Sequence, residues 1–403
     1  MYYGGIDVAK KRHNLCIIDE SGEVTIQLQF SNSRSGFQKL DQKLDGIGPI
    51  EFCMEATGHY WLNLYCWLSE QGYTVRVINP IQSEALRKVK IRKTKTDRKD
   101  ASLLAELLRM GEATQTKLYS ETTTKLQSLS RLRFDMVEKV TSLKTQVLGI
   151  LDRIFPEYPD CFSDVFIKTS RELLKKYPEP EEIASMDLSE LSEFLSQHSQ
   201  GRIKEDRAKK IKDLAQNSIG IRYALDAFTL QLRLLIEQIE HCQEDIKIIE
   251  EAIDKVLEEL REDPETEYRH VVETPPGISS VTAAAIIGEI GDPSLFPNAK
   301  ALVAFSGIDP SVNESGNFKA KNTRISKRGS PVLRHSLYLA ASSAIKHNPE
   351  FNEYYYKKVQ EGKSHKQAVI AVARRLVHLI YSLWKNNQPY NPNYQWSPPQ
   401  ASS

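Results

Sequence analysis

No apolar run in this sequence is long enough to cross a bilayer; the longest, near 281–288, falls far short of the roughly 20 residues a membrane helix needs. At the N-terminus Asp7, Lys10, Lys11 and Arg12 interrupt any signal-like apolar core, so the expectation is a cytoplasmic protein without a membrane partner. Cysteine is sparse. Cys16, Cys53, Cys66, Cys161 and Cys242 are odd in number and lack CxxC spacing, which argues against a disulfide framework and against a zinc site. Cys16 and Cys53 fall in apolar, strand-like stretches and read as core residues. Net charge is almost absent too, at +1.

A neutral total still allows strong local charge, and here it does. Residues 87–99 hold Arg87, Lys88, Lys90, Arg92, Lys93, Lys95, Arg98 and Lys99 against a single acid, Asp97. Residues 319–334 hold Lys319, Lys321, Arg324, Lys327, Arg328 and Arg334 and no acid. Clustered cations attract phosphate, so both segments are candidate nucleic-acid contacts, although each could equally be a solvated face or loop.

The chain has 403 residues, enough for two or three domains. Residues 1–115 read as α/β. Strands are expected at 2–8, 14–18 and 23–30, a helix over 34–44, a strand at 51–56, a helix near 59–71, a strand at 74–78, and further helix from Pro80. From Leu225 to Leu260 apolar residues recur at alternating steps of three and four, and Leu126–Ile154 shows the same rhythm, broken only by Arg133. That spacing predicts long coiled-coil helices that pair within one chain or between chains. Residues 274–292 (TPPGISSVTAAAIIGEIGD) combine a Pro-Gly turn with an apolar helix. They resemble a helix-hairpin-helix element, in which backbone amides hold a phosphate, or else form a plain turn between helices. Residues 389–403, rich in Pro, Asn, Gln and Ser, are expected to be disordered.

Four acids stand out. Asp7 ends the first strand in GGIDVAK, where glycines would let backbone and ligands approach closely. Glu55 ends the apolar run EFCM. Asp97 and Asp100, at i and i+3 in KTDRKDASLLAELL, share one helix face. Two strand ends and one helix face can converge at the edge of an α/β sheet. A carboxylate cluster repels itself unless divalent cations intervene, and oxygen ligands suit Mg²⁺, with Mn²⁺ as the alternative. Two such ions would support an in-line displacement at phosphorus. The competing reading makes each acid a helix cap or a salt-bridge partner, and Asp97 and Asp100 have many neighbouring cations.

GIDVAKKRHNLCIID (5–19), EATGHY (55–60), VINP (77–80), KTDRKDA (95–101), PPGISSVTAAAIIGEIGD (275–292), FPNAKALVAFSGIDPSVNESGNF (296–318) and ISKRGSPVLRHSLYLAA (325–341) together resemble the DEDD-type insertion-sequence transposases, the IS one-ten class, which also contains a pilin-gene invertase. The resemblance spans nearly the whole chain. It implies a RuvC-like domain of ribonuclease H fold at 1–118 and a coiled-coil, helical oligomerisation region at 119–265. A helical C-terminal transposase domain follows at 266–388, then the tail at 389–403. It assigns a Mg²⁺-binding catalytic tetrad to Asp7, Glu55, Asp97 and Asp100, and a catalytic serine to Ser315. Many relatives carry a second small hydroxyl residue and a second glycine beside that serine, where this chain has Glu314 and Asn317. The resemblance further implies donor and target DNA as partners, a bridge RNA as guide, and a homo-oligomer, dimer or tetramer.

A serine attacking phosphorus would form a phosphoserine link and conserve the bond energy for rejoining, provided the hydroxyl is activated. Ser-Gly is also a common turn pair, and Ser306, Ser311 and Ser326 compete with Ser315 on sequence alone. The expectation is a DNA transposase. A site-specific invertase, a metal-only nuclease such as a junction resolvase, and a non-enzymatic nucleic-acid-binding scaffold remain the alternatives.

Overall fold

The computed structural model describes residues 1–56, 58–78, 97–113, 120–262, 271–311, 314–315, 318–319 and 324–392. For 97, 98, 314, 315, 318 and 319 it describes the backbone only. The chain divides into two compact units, Met1–Leu118 and Tyr119–Ser403.

The first unit is built on a five-stranded sheet of order β3-β2-β1-β4-β5. β1 (Tyr2–Asp7), β2 (Arg12–Ile18) and β3 (Val24–Ser31) form an antiparallel meander, and β4 (Ile50–Glu55) and β5 (Thr74–Ile78) continue from β1 in parallel. Period-2 alternation sorts the side chains between two faces. Ile6, Leu15, Ile17, Phe52, Met54 and Val77 pack with Leu40 and Leu44 of α1 (Arg34–Leu44) and with Leu64 and Leu68 of α2 (Trp61–Glu70). The other face carries Tyr3, Cys16, Ile18 and Cys53, covered by Ala101, Leu104, Ala105, Leu107 and Leu108 of α3 (Asp97–Arg109). The helix expected from Pro80 lies outside the described residues.

Gly5 sets the distance between α3 and the sheet. A Cβ there would stand 2.0 Å from the Ala101 carbonyl and 2.3 Å from the Ala105 nitrogen. The glycines of GGID were expected to let backbone and ligands approach closely; at Gly5 the approach is that of a helix backbone, and the space beside Gly4 is filled by the Phe52 ring.

In the second unit α4 (Glu121–Ile154) and α9 (Leu225–Glu262) run antiparallel, as the pairs Lys125–Glu259 and Arg133–Glu250 show. The second pair explains the Arg133 break in the apolar rhythm. The α9 seam is consumed inside the chain. Leu232, Ile236, Ile239 and Cys242 enter one core with α5 (Lys168–Lys176), α7 (Leu188–Ser199) and α8 (Glu205–Gln216), while Ile249, Ile253, Val256 and Leu260 enter another. That second core also holds α10 (Ser280–Ile290), α11 (Ala299–Phe305), α12 (Pro331–His347), α13 (Pro349–Gln360) and α14 (His365–Asn386), so the regions read as 119–265 and 266–388 share apolar packing. The Pro-Gly turn is also a packing element. Gly277 (φ 96°) lies with its Cβ position 2.4 Å from the Ala344 nitrogen. Within the tail expected to be disordered from 389, Tyr390 is fastened: its N–H donates to Thr274 Oγ1 at 2.8 Å, and its hydroxyl accepts from Asn348 Nδ2 at 2.7 Å. Residues 393–403 lie outside the described residues.

Because no rotamer of valine can avoid a backbone carbonyl at that range, Gly5→Val should destabilise the first unit by about 1–3 kcal/mol, the usual cost of overpacking. Chemical denaturation followed by tryptophan fluorescence checks this; an unchanged midpoint would mean α3 does not rest on β1.

Candidate active site

Asp7 and Glu55 are neighbours by register. β1 and β4 are parallel with Ile6 opposite Met54, so the next residues, Asp7 and Glu55, end the two strands side by side. Both lie on the face shared with Gly5 and Cys53, the face that α3 covers. The direction of α3 follows from its ends. Arg109 donates to the Glu20 carbonyl at 3.4 Å, and Glu20 follows Ile18, which pairs with Tyr3 at the start of β1. The first turn of α3 therefore lies at the opposite edge, where β1 and β4 end. From Ala101 back to Asp97 is about 6 Å along a helix, and from Gly5 forward to Asp7 about 7 Å along a strand. Asp97 and Asp100 thus start α3 at the same edge as Asp7 and Glu55. Asp100 is buried; the Asp97 side chain lies outside the described residues. Among the described residues no three His, Cys, Asp or Glu side chains already stand together as a cation cage.

The row continues across the sheet. Asp7 stands opposite Asn14, and Asn14 opposite Gln29. Asn14 is buried, and its Oδ1 accepts from Gln29 Nε2 at 3.1 Å. Neither Asn14 nor Gln29 was singled out from the sequence. The signal was present only as their place in the strand alternation, which has no meaning until the register is known.

On the opposite face, the turn after Asp7 is anchored by His13. Its Nδ1 accepts from the Ala9 N–H at 3.3 Å, and its ring lies 5.3 Å from that of Phe30 and 6.4 Å from that of Phe37. Burial pushes the imidazole below its ordinary pKa, against an opposing hydrogen bond from Asn32. Beside the carboxylates, burial pushes the Cys53 thiol up to about 12, so it stays protonated.

In the second unit the backbone of Ser315 belongs to a two-strand ribbon, β6 (Glu314–Ser315) paired with β7 (Phe318–Lys319), with Ser315 opposite Phe318. Its side chain lies outside the described residues. The competing serines are committed to local structure. Ser306 is fully buried, with Oγ donating to the Leu302 and Val303 carbonyls at 3.0 and 2.9 Å. Ser311 Oγ donates to the Arg324 carbonyl at 2.8 Å, and Ser326 Oγ donates to Asp309.

Two family models match this chain. The DEDD-type IS110 transposase model covers residues 4–156, which include all four acids, and the model described as "Transposase IS116/IS110/IS902 family" covers 269–356, which include Ser315. The chain belongs to the IS110-class transposases. It is therefore an enzyme that cuts and transfers DNA strands. Among its relatives are the pilin gene-inverting protein of Moraxella lacunata, 25% identical over 96% of this chain and 97% of that one. The transposase of insertion sequence IS1111A from Coxiella burnetii is 23% identical over 96% and 90%. An uncharacterised protein of insertion element IS116 from Streptomyces clavuligerus is 23% identical over 96% of each.

The transposase displays part of its second cationic segment on a braced loop. Gly307 (φ 67°) and Gly329 (φ 85°) interlock, with Cβ positions 1.9 Å from the Arg328 carbonyl and 1.8 Å from the Phe305 carbonyl. No other residue fits those contacts. Arg324, Lys327 and Arg328 are exposed on this loop, and Arg334 follows in the first turn of α12. The side chains of Lys319 and Lys321 lie outside the described residues, as do residues 87–95 and the side chain of Arg98; Lys99 is exposed on α3.

His13 gives a pH prediction. A histidine whose folded pKa is depressed adds stability above its unfolded pKa of about 6.5, and that stability is lost as pH falls toward the folded value. Thermal melts at pH about 7.5 and 5.5 should show a drop for the wild type that shrinks in His13→Phe. Equal drops in both would remove His13 as the cause.

Proposed function

We propose that Asp7, Glu55, Asp97 and Asp100 hold Mg²⁺ at the edge where β1 and β4 end, and that Ser315 is the nucleophile of DNA cleavage. The observation that carries the reading is the side-by-side register of Asp7 and Glu55 beneath the first turn of α3. Strand order β3-β2-β1-β4-β5 with an antiparallel β2 supports a RuvC-like ribonuclease H fold for this unit. Four carboxylates supply hard oxygen donors, which suit Mg²⁺ or Mn²⁺ and no soft metal. Bound there, the cation would neutralise the cluster and stabilise charge developing on phosphate oxygens.

The step at Ser315 balances without ATP. The Oγ–P bond forms, one P–O bond of the DNA backbone breaks, and the departing strand end leaves as a hydroxyl that takes up the serine proton. The reverse step rejoins strands. Positive charge from Arg324, Lys327, Arg328 and Arg334 supports the crowded phosphate. Elimination of Ser306, Ser311 and Ser326, each held by its own hydrogen bonds, favours Ser315.

The resemblance to pilin gene-inverting proteins over nearly the full length favours a second reading, inversion of a DNA segment by the same chemistry. Family likeness also extends the proposal to a bridge RNA as guide and to a homo-oligomer. Co-purification of a structured RNA encoded beside the gene tests the former.

Asp7→Asn, Glu55→Gln and Asp100→Asn should each lower strand cleavage beyond the ~100-fold typical of losing an outer partner of a metal ligand. Chelation should abolish cleavage, and Mn²⁺ should restore it. Ser315→Ala should retain DNA binding yet give no covalent protein–DNA adduct on a denaturing gel. Normal cutting by Ser315→Ala would point instead to water as the nucleophile, and normal cutting by Asp7→Asn would remove the tetrad.

A further inference from the structure

We propose that the outer face of β3, together with Arg12 and Lys39, binds the backbone phosphates of a nucleic-acid strand that leads into the carboxylate edge. The inference rests on the DNA-cutting role proposed for that edge. β3 is an edge strand of the sheet. Its alternate residues Ile26, Leu28 and Phe30 turn toward the core, while Thr25, Gln27, Gln29 and Ser31 are exposed on the face that carries Asp7. All four are uncharged hydrogen-bonding residues; no carboxylate interrupts them.

Two adjoining recesses open along the β3 edge, the second reaching round it to α1 on the opposite face. One, of about 200 Å³, is lined by Asn14, Gln27 and Gln29. The next, of about 390 Å³, shares Gln29 and adds Arg12, Ser31, Ser35 and Lys39. No acid lines either recess. Arg12 and Lys39 are exposed, and neither is ion-paired among the described residues. The first turn of α1, which enters the second recess at Ser35, is capped by the neutral Ser33 hydroxyl and carries no acid.

Register ties this surface to the proposed chemistry. Asp7, Asn14 and Gln29 stand opposite one another on β1, β2 and β3, which places Gln29 about 10 Å from Asp7 at the usual strand spacing. Arg12, opposite Ser31, lies one more step toward the same end of the sheet. Amide and hydroxyl donors flanked by two cations suit a chain of phosphates, which is contacted without regard to base sequence. Pairing of a partner peptide along the open β3 edge would use backbone groups and would leave the two cations without a role.

The full-length protein tests this with fluorescein-labelled single-stranded DNA and RNA of the same sequence. Binding is measured by anisotropy between about 50 and 200 mM NaCl. Arg12→Gln/Lys39→Gln should weaken binding about tenfold at low salt and reduce the salt slope by about 1.4, the value for two lost contacts to a single strand. Gln29→Glu, which adds a negative charge between the recesses and removes no cation, should weaken binding in the same direction. Whether DNA, RNA or both lose affinity identifies the strand. Wild-type affinity and slope for both strands in both variants would overturn the surface. Cutting by Asp7→Asn would instead overturn the carboxylate reading, so the two failures are distinguishable.

Discussion

The backbone contact between α3 and β1 at Gly5 decides where the acids go. Nothing separates helix from strand at that point, so α3 can neither slide nor roll far without a collision between Ala101 and the glycine. Once that contact is fixed, the helix direction carries Asp97 and Asp100 to the edge where Asp7 and Glu55 already stand by register. Apolar packing of Leu104, Leu107 and Leu108 against Cys53 and Ile78 keeps α3 seated on the sheet. The edge that carries the acids is thus held from behind, by the apolar face of α3.

Much of this was legible in the sequence because it follows from short-range periodicity. Alternation located the five strands to within a few residues, and the three-four rhythm located α4 and α9. What could not be read is everything that depends on which segments meet. Gly5 read as a place where backbone or ligand approaches closely, because glycine signals close approach without naming what approaches. The α9 seam looked equally suited to another chain, since a heptad pattern specifies an apolar partner and not its covalent identity. Within the chain, the pairs Arg133–Glu250 and Lys125–Glu259 join it to α4. Asn14 and Gln29 escaped notice for a related reason. A polar residue in a strand has no marker of its own, and it gains meaning only from the acid across the ladder.

The second unit shows the same economy of backbone contact. Gly288 of α10 lies with its Cβ position 2.6 Å from the Gln127 nitrogen on α4, and beside it the carboxylate of Glu289, 2% exposed, accepts two hydrogen bonds from Arg131 at 2.6 and 3.1 Å. A bidentate pair of this kind fixes both translation and rotation of α10 on the long stem. From there the α11 end and the loop through Gly329 are locked in turn by the interlocked carbonyls of Phe305 and Arg328. The exposed cations of that loop are therefore presented from a rigid base, which would limit the entropy lost if they meet phosphate as proposed.

That rigidity also bears on which serine can serve as the proposed nucleophile. A hydroxyl that already donates to a carbonyl must give up that bond before it can transfer its proton and attack, and a buried one would also need a path for the substrate. Ser306 fails on both counts and Ser311 on the first, while the Ser326 hydroxyl donates to the Asp309 carboxylate; the Ser311–Arg324 and Asp309–Ser326 contacts shape the loop. The same bonds brace the segment on either side of the β6–β7 ribbon. If Ser315 is the nucleophile, as proposed, the bonds of Ser311 and Ser326 serve the shape of the loop and the placement of the reactive hydroxyl at once, because both flank the ribbon that carries it.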